Sequence, residues 1–145
     1  MHEFHVEATQ LVRAPVEKVF SVVTDYESAP KWSKFYTSVR VTNRSDNVTD
    51  LEVETHAFGR KEKGPSKAIA TPMSRLELQG NHKEFVRDAV LSLEPHPEGT
   101  KLTYKSDMQL NGMIATIVGP LEKHRVEELA KDEVKSLAKY IESMK

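Results

Sequence analysis

The sequence predicts an α+β domain in which an antiparallel sheet is covered by one long C-terminal helix. Two observations lead to this prediction. Between about residues 36 and 110, short segments alternate apolar and polar residues and are joined by turn sequences, which is the period of half-buried strands. The C-terminal segment instead carries one apolar stripe at helical spacing. With 145 residues, the chain fits a single domain, 1–145, better than two.

The composition limits which cellular location and which kind of binding partner we expect. Hydrophobic residues make up 38% of the chain, charged residues 30%, and the formal net charge is −1. This balance is typical of a soluble globular domain and argues against a nucleic-acid partner, because phosphate binding normally needs a basic face. The absence of cysteine excludes disulfides, zinc ribbons and thiol catalysis. Since no apolar run reaches the roughly 20 residues of a membrane span and no secretory signal is visible, we expect a cytoplasmic protein.

The N-terminal segment predicts a strand followed by two short helices. Residues 3–13 alternate and predict a half-buried strand that ends at a proline. Proline suits a first helical turn, and the apolar residues of the predicted helix over about residues 15–25 follow at helical spacing: Val16, Val19, Phe20 and Val23. Two short sequences, at 24–25 and at 28–30, break this helix. Trp32 and Phe35 are apolar anchors in a second short helix or turn.

The central segment predicts a meander of antiparallel strands, since short turns join successive strands. The predicted strands fall at residues 39–41, 51–55, 67–73, 76–79, 85–93 and 101–110. Turn sequences lie between several of them, at residues 43–47, 80–82 and 95–99. Residues 59–64 (GRKEKG) predict a charged loop, and Pro72 predicts an edge or bulge.

The C-terminal segment predicts helix to the end of the chain. Residues 113–118 are apolar, and Pro120 either starts a new helix or kinks the first one. The residues that then form one apolar stripe are Val126, Leu129, Ala130, Val134, Leu137, Ile141 and Met144.

Three local patterns resemble the polyketide cyclase/dehydrase-type members of the START-like (Bet v 1-like, SRPBCC) superfamily. They are RAPVEKVFSVVTDYESAPKW at 13–32, LSLEPHPEGTKLTYKSDMQLNG at 91–112, and the uninterrupted helical tail. The resemblance implies a helix-grip fold, in which a curved antiparallel sheet grips the C-terminal helix. It also implies a cavity between sheet and helix that opens near the short helices and loops.

A curved sheet under one helix leaves space in its middle unless large side chains fill it. The side chains that we expect to fill or line this space are Phe4, Trp32, Phe35, Val53, Phe85, Arg87, Leu91, Tyr104, Ser106, Met108, Val126, Leu129 and Glu133. Each apolar member taken alone is more typical of core packing, and Trp32 alone more typical of an anchor. As a set on inward faces they favour an apolar pocket for a ligand.

The polar members of this set leave two interpretations open. Arg87 shares a strand face with apolar residues, and Glu133 lies close to the helix stripe. A buried charge is costly unless it is paired, so an Arg87–Glu133 pair or a ligand contact would explain both. Alternatively, Arg87 extends out at the sheet rim and Glu133 sits at the exposed edge of the stripe. In a cavity with a polar end, Arg87 would orient a carboxylate or carbonyl, and Tyr104 would donate a hydrogen bond.

No sequence motif predicts a metal, a cofactor or a particular reaction. The six histidines lack ligand spacing, and nucleophile elbows, phosphate loops and dinucleotide fingerprints are absent. We therefore expect no metal and no cofactor, and the catalytic residues are unknown. The charged loop at 59–64 would be a lid beside the cavity mouth.

Three functions remain open at this point. The first is binding of a hydrophobic or amphipathic small molecule (a lipid, isoprenoid or polyketide-like compound) as carrier or sensor. The second is a cyclase- or dehydratase-type enzyme that uses Tyr104, Arg87 or Glu133 for proton transfer or enolate stabilisation. The third is a protein-interaction module without a ligand. The sequence does not predict an oligomeric state.

Overall fold

The computed structural model describes residues 2–57, 60–82, 85–111 and 123–144. The elements in chain order are β1 (His2–Val12), α1 (Val16–Val23), the 3₁₀ helix η1 (Tyr26–Lys31), β2 (Tyr36–Ser45), β3 (Val48–Ala57), β4 (Arg60–Thr71), β5 (Arg75–Asn81), β6 (Phe85–His96), β7 (Gly99–Leu110) and α2 (Lys123–Ser143). The seven strands form one antiparallel sheet in the order β1-β7-β6-β5-β4-β3-β2. This curved sheet with its C-terminal helix is the predicted helix-grip fold, which is confirmed.

Helix α1 forms where the sequence predicts it, and the following short helix lies earlier than expected. The buried side chains of α1 form one apolar face and are Val16, Val19, Val22 and Val23. Thr24 ends α1, and its hydroxyl donates a hydrogen bond to the Phe20 carbonyl. The predicted break at 24–25 is confirmed, whereas residues 28–30 lie inside the 3₁₀ helix Tyr26–Lys31. A 3₁₀ turn tolerates Pro30 because its short run needs few backbone N–H donors.

Helix α2 packs mainly against β1 and buries most of the predicted stripe. Its buried residues are Val126, Ala130, Val134, Leu137, Ala138 and Ile141. Leu129 is only partly buried, and Met144 lies beyond the helix end with 40% of its surface exposed, so its predicted place in the stripe is wrong. The predicted helix at 113–118 and the break at Pro120 lie outside the described residues.

The predicted charged loop at 59–64 is instead the beginning of β4. Residues 60–64 pair with residues 57–53 of β3, and Lys63 lies opposite Glu54. The run is polar because several of its side chains are solvent-exposed, while backbone pairing satisfies the strand's N–H and C=O groups. A lid formed by these residues is therefore ruled out for 60–64, and residues 58–59 lie outside the described part.

The predicted hairpin turns lie close to their expected positions, and some of them contain a residue with a positive φ. The turn predicted at 43–47 is confirmed only at its end, because β2 continues to Ser45 and Asp46 then adopts a left-handed conformation (φ 49°) before β3 begins at Val48. The predicted turn at 80–82 starts too early, because β5 continues to Asn81 and pairs there with Val86. At the β6–β7 turn, Gly99 has a φ of 145°, which side chains rarely adopt.

Candidate functional site

The middle of the inner sheet face is lined by small side chains. On β4, Gly64, Ser66 and Ala68 pair with buried β3 residues, and Ala70 continues the alternation. Ser66 in turn pairs with Gly80 of β5, so the small-residue part of this face extends onto the next strand. Small residues leave space above the sheet that larger ones would fill.

The space between η1 and the inner sheet face holds an interior cavity of about 40 Å³, called the larger cavity below. Its lining is almost entirely apolar and consists of Val23, Tyr26, Ala29, Trp32, Tyr36, Val39, Leu51, Val53, Ser66, Leu76, Leu78 and Leu91. A single water needs roughly 10–15 Å³ measured in this way, whereas small-molecule pockets occupy about 300–1,000 Å³. The interior is therefore largely closed by side chains, and a ligand would have to displace some of them.

A smaller cavity of about 10 Å³ lies between the sheet and α2. Its lining residues are Val6, Phe35, Arg87, Tyr104, Met108, Val126, Leu129, Ala130 and Glu133. The structure thus brings together seven of the side chains selected from the sequence. Trp32, Val53 and Leu91 line the larger cavity instead, and the side chain of Phe85 lies outside the described residues.

Arg87 is buried at the boundary between the two cavities. Only 7% of its surface is exposed, so it does not extend to solvent at the sheet rim. Its guanidinium carbon lies 5.1 Å from the ring centroids of both Phe35 and Tyr36, within cation–π range. These two rings meet edge to face at 5.1 Å, and one lines each cavity. The three side chains therefore form a partition between the cavities.

Glu133 holds the chain segment that carries this partition. Ser33 Oγ donates to its carboxylate oxygens at 3.0 and 2.8 Å, and the Lys34 N–H donates at 3.1 Å. Ser33 Oγ in turn accepts from the N–H groups of Phe35 (3.0 Å) and Tyr36 (2.9 Å). Helix α2 is thereby tied through one carboxylate to the loop between η1 and β2.

Burial is the main influence on the pKa of the Glu133 carboxyl group. Burial raises the pKa of Glu133 above its ordinary value, while the hydrogen bonds from Ser33 and Lys34 and the charge of Arg87 oppose this increase. The structure shows no direct ion pair between these two described side chains, Arg87 and Glu133, so they interact at longer range. The predicted pairing of Arg87 with Glu133 is thus a charge–charge attraction without a hydrogen bond between the two side chains.

Three buried polar atoms around the cavities have no hydrogen-bond partner within the described chain: Trp32 Nε1, Arg87 Nε and Ser106 Oγ. Ser106 is 2% exposed and pairs with Val6 and Ala89, so it lies in the small-residue part of the sheet. An unpaired buried polar group costs about 1–3 kcal/mol, so each such atom in a native protein needs an explanation. A polar group of a ligand, or a water, would provide one.

Sequence reasoning missed several residues of the larger cavity, among them Tyr26, Tyr36, Ser66, Leu76 and Leu78. Ser66 was missed because the strand assignment began at residue 67. The alternation of Gly64, Ser66, Ala68 and Ala70 is the signal that could have located it. Tyr26 could not be placed, since the short helix was expected further along the chain.

Comparisons with known proteins agree with this architecture. The family model described as polyketide cyclase / dehydrase and lipid transport matches residues 3–142. No curated protein matches the chain significantly in sequence. Within the described ranges, no helix is both long enough and apolar enough to cross a membrane.

Solved structures with low sequence identity share the fold. A START superfamily protein from Mycobacterium smegmatis is 19% identical, with a TM-score of 0.83 over 97% of this chain and 99% of that one. TTHA0849 from Thermus thermophilus is 18% identical, with a TM-score of 0.81 over 98% of each chain. The Zhui aromatase/cyclase from Streptomyces sp. R1128 is 15% identical, with a TM-score of 0.76 over 97% of this chain and 94% of that one. With a family model that spans nearly its whole length, the chain belongs to the polyketide cyclase / dehydrase and lipid transport family.

Proposed function

We propose that the protein binds a hydrophobic or amphipathic small molecule, such as a lipid, an isoprenoid or a polyketide-like compound, as a carrier or sensor. The observation that carries this proposal is the apolar cavity between η1 and the inner sheet face, above the small residues of β4. Apolar, enclosed space with a few polar groups is the usual form of a small-molecule site. The apolar body of the ligand would occupy this cavity and enlarge it by moving side chains.

The polar end of the ligand would lie at Arg87. This guanidinium is buried, its Nε has no partner within the described chain, and the carboxylate that lines the same cavity, Glu133, is already engaged by Ser33 and Lys34. A carboxylate or carbonyl oxygen would supply the missing acceptor, and a charge-assisted hydrogen bond of this kind contributes about 1.5–3 kcal/mol. The ligand would therefore carry at least one such oxygen.

Native mass spectrometry of the purified protein, followed by denaturing extraction, tests whether a ligand is bound. An apolar molecule at about one per chain supports the proposal and identifies its chemical class. Displacement of N-phenyl-1-naphthylamine fluorescence then measures affinity for a long-chain fatty acid and for its methyl ester. A protein that takes up neither the dye nor any molecule from a lipid and quinone mixture would contradict the proposal.

A matched pair of arginine variants tests the polar contact. In Arg87→Met, affinity for the fatty acid should fall at least about tenfold, because the charge-assisted bond is lost, while affinity for the methyl ester should change less. Arg75→Met is the control, since Arg75 is half exposed and faces Glu77 at 3.8 Å. Equal losses for acid and ester in Arg87→Met would show that Arg87 only supports packing.

A second candidate function is a cyclase- or dehydratase-type enzyme, because Tyr104, Arg87 and Glu133 line the same small cavity. A proton donor, a cation and a carboxylate around one site can protonate and stabilise an enolate. The structural likeness to an aromatase/cyclase makes poly-ketone compounds the first substrates to test. Loss of turnover with retained binding in Tyr104→Phe would favour the enzyme, and binding without turnover in the unmodified protein would favour the carrier.

A further inference from the structure

Tyr26 faces two separate spaces. It lines the larger interior cavity, and it also lines an open surface recess of about 430 Å³. The other residues of this recess are Phe20, Thr24, Arg44, Asp46, Asn47, Thr49, Ala70 and Pro72. Tyr26 is the residue that the two linings share, and only 6% of its surface is exposed. Its side chain is therefore the wall between the interior cavity and the recess.

One hydrogen bond and core packing hold the Tyr26 side chain in this wall. Tyr26 is the first residue of the six-residue helix η1, and its hydroxyl hydrogen-bonds with the side chain of Thr49, which is itself buried. Burial raises the pKa of the Tyr26 hydroxyl, while the hydrogen bond with Thr49 and the nearby charge of Arg44 oppose this, so the hydroxyl stays uncharged at neutral pH. Rotation of the ring out of the wall breaks this hydrogen bond and exposes apolar ring surface to water, and both changes cost free energy. The ring therefore keeps the wall closed most of the time, and any opening is transient.

The opening that Tyr26 covers is narrow, because this one residue is shared by the linings of the cavity and the recess. If its ring moves aside, the opening has about the width of one phenol ring. An opening of this width fits a single extended chain and not a broad fused-ring system presented face-on.

On the basis that the interior binds a ligand as proposed above, we infer that Tyr26 is the gate through which the ligand passes, and that it admits slender ligands such as one acyl or isoprenoid chain. The recess outside it is the mouth of this passage. Its rim of Thr24, Arg44 and Asn47 offers polar groups for the part of the ligand that is still outside.

Stopped-flow fluorescence with cis-parinaric acid, a slender conjugated chain, and with pyrenebutyrate, a fused-ring acid, tests the gate. The wild type should bind the slender probe much faster than the fused-ring probe. In Tyr26→Ala, association and dissociation of the slender probe should both rise about tenfold with a smaller change in Kd, and the difference between the probes should shrink. Tyr140→Ala is the matched control: Tyr140 packs against the core from α2 and lines neither the cavity nor the recess, so its association rates should not rise.

A second variant blocks the mouth from outside and does not depend on the stability of Tyr26→Ala. Asn47 is exposed in the β2–β3 turn, so Asn47→Trp should slow binding of cis-parinaric acid, whereas Asn81→Trp, also exposed, should not. Wild-type rates in both Tyr26→Ala and Asn47→Trp would overturn the gate while leaving ligand binding intact. Failure of the wild type to bind either probe would overturn the proposed function instead.

Discussion

Replacement of Val53 by isoleucine should stabilise the protein, because the added methyl group would enter existing space. Val53 is 2% exposed and lines the larger cavity. One buried methylene contributes about 0.8 kcal/mol. Independently, at about 24 cal/mol per Å³, filling a cavity of about 40 Å³ recovers about 1 kcal/mol. The two routes agree, and isoleucine keeps the β-branch that suits a strand. We therefore expect the free energy of unfolding to rise by about 1 kcal/mol.

Urea unfolding of the ligand-free protein measures this change in free energy. In thermal unfolding, the same change should raise Tm by about 3–5 °C in a domain of this size. The control is the same substitution at Val12, which is fully buried and lines none of the cavities described above. There the extra methyl group must displace packed atoms, at a cost of about 1–3 kcal/mol. Val53→Ile should also weaken binding of N-phenyl-1-naphthylamine, because ligand and methyl group compete for one space. Equal destabilisation by both substitutions would refute the existence of usable space at Val53.

Three further changes test other parts of the fold by urea unfolding. Gly99→Ala should cost at least about 2 kcal/mol, because a Cβ there would collide with the Val12 carbonyl at a φ of 145°; a neutral effect would contradict this. Thr100→Val should cost about 1–3 kcal/mol, since the buried hydroxyl donates to the Ala14 carbonyl at 2.7 Å, and an unchanged stability would show that the bond is dispensable. Burial raises the pKa of Glu133 above 4.5, so the folded protein binds the carboxyl proton more tightly than the unfolded chain does. The stability that this proton contributes is lost as the pH rises through the raised pKa. Glu133→Gln lacks this loss and should gain stability relative to the wild type as the pH rises from below 4.5 towards neutrality; a pH-independent difference would contradict it.

The sheet was predictable because strand alternation is a local signal. In β7, residues alternate between two faces, which places Tyr104, Ser106 and Met108 on one face before any tertiary contact is known. The structure buries that face and leaves the other more exposed. The same reasoning places Arg87 on the inner face of β6, and the structure puts it there. What alternation could not supply is how the guanidinium is accommodated, because the two aromatic rings beside it come from another element, distant in sequence.

The beginning of β4 was missed for a physical reason. Charged residues and glycines disfavour a strand by local propensity, but the strand forms because its backbone pairs with β3 over residues 60–69. Tertiary pairing thus overrode the local signal. The place of Tyr26 was equally inaccessible, since it depends on how η1 packs across the end of the sheet, which no periodicity in the sequence encodes.

Two physical demands compete at the inner sheet face. A stable core requires filled space and paired polar groups, whereas a ligand site requires space and unpaired ones. Here the compromise is local: β4 contributes small side chains, and Arg87 and Ser106 contribute buried polar atoms without partners in the described chain. These features lower the stability of the empty protein, and a ligand that fills the space and pairs the atoms would restore it by RT ln(1 + [L]/Kd). Ligand binding and thermal stability should therefore rise together, and they should do so most in the protein that retains Arg87.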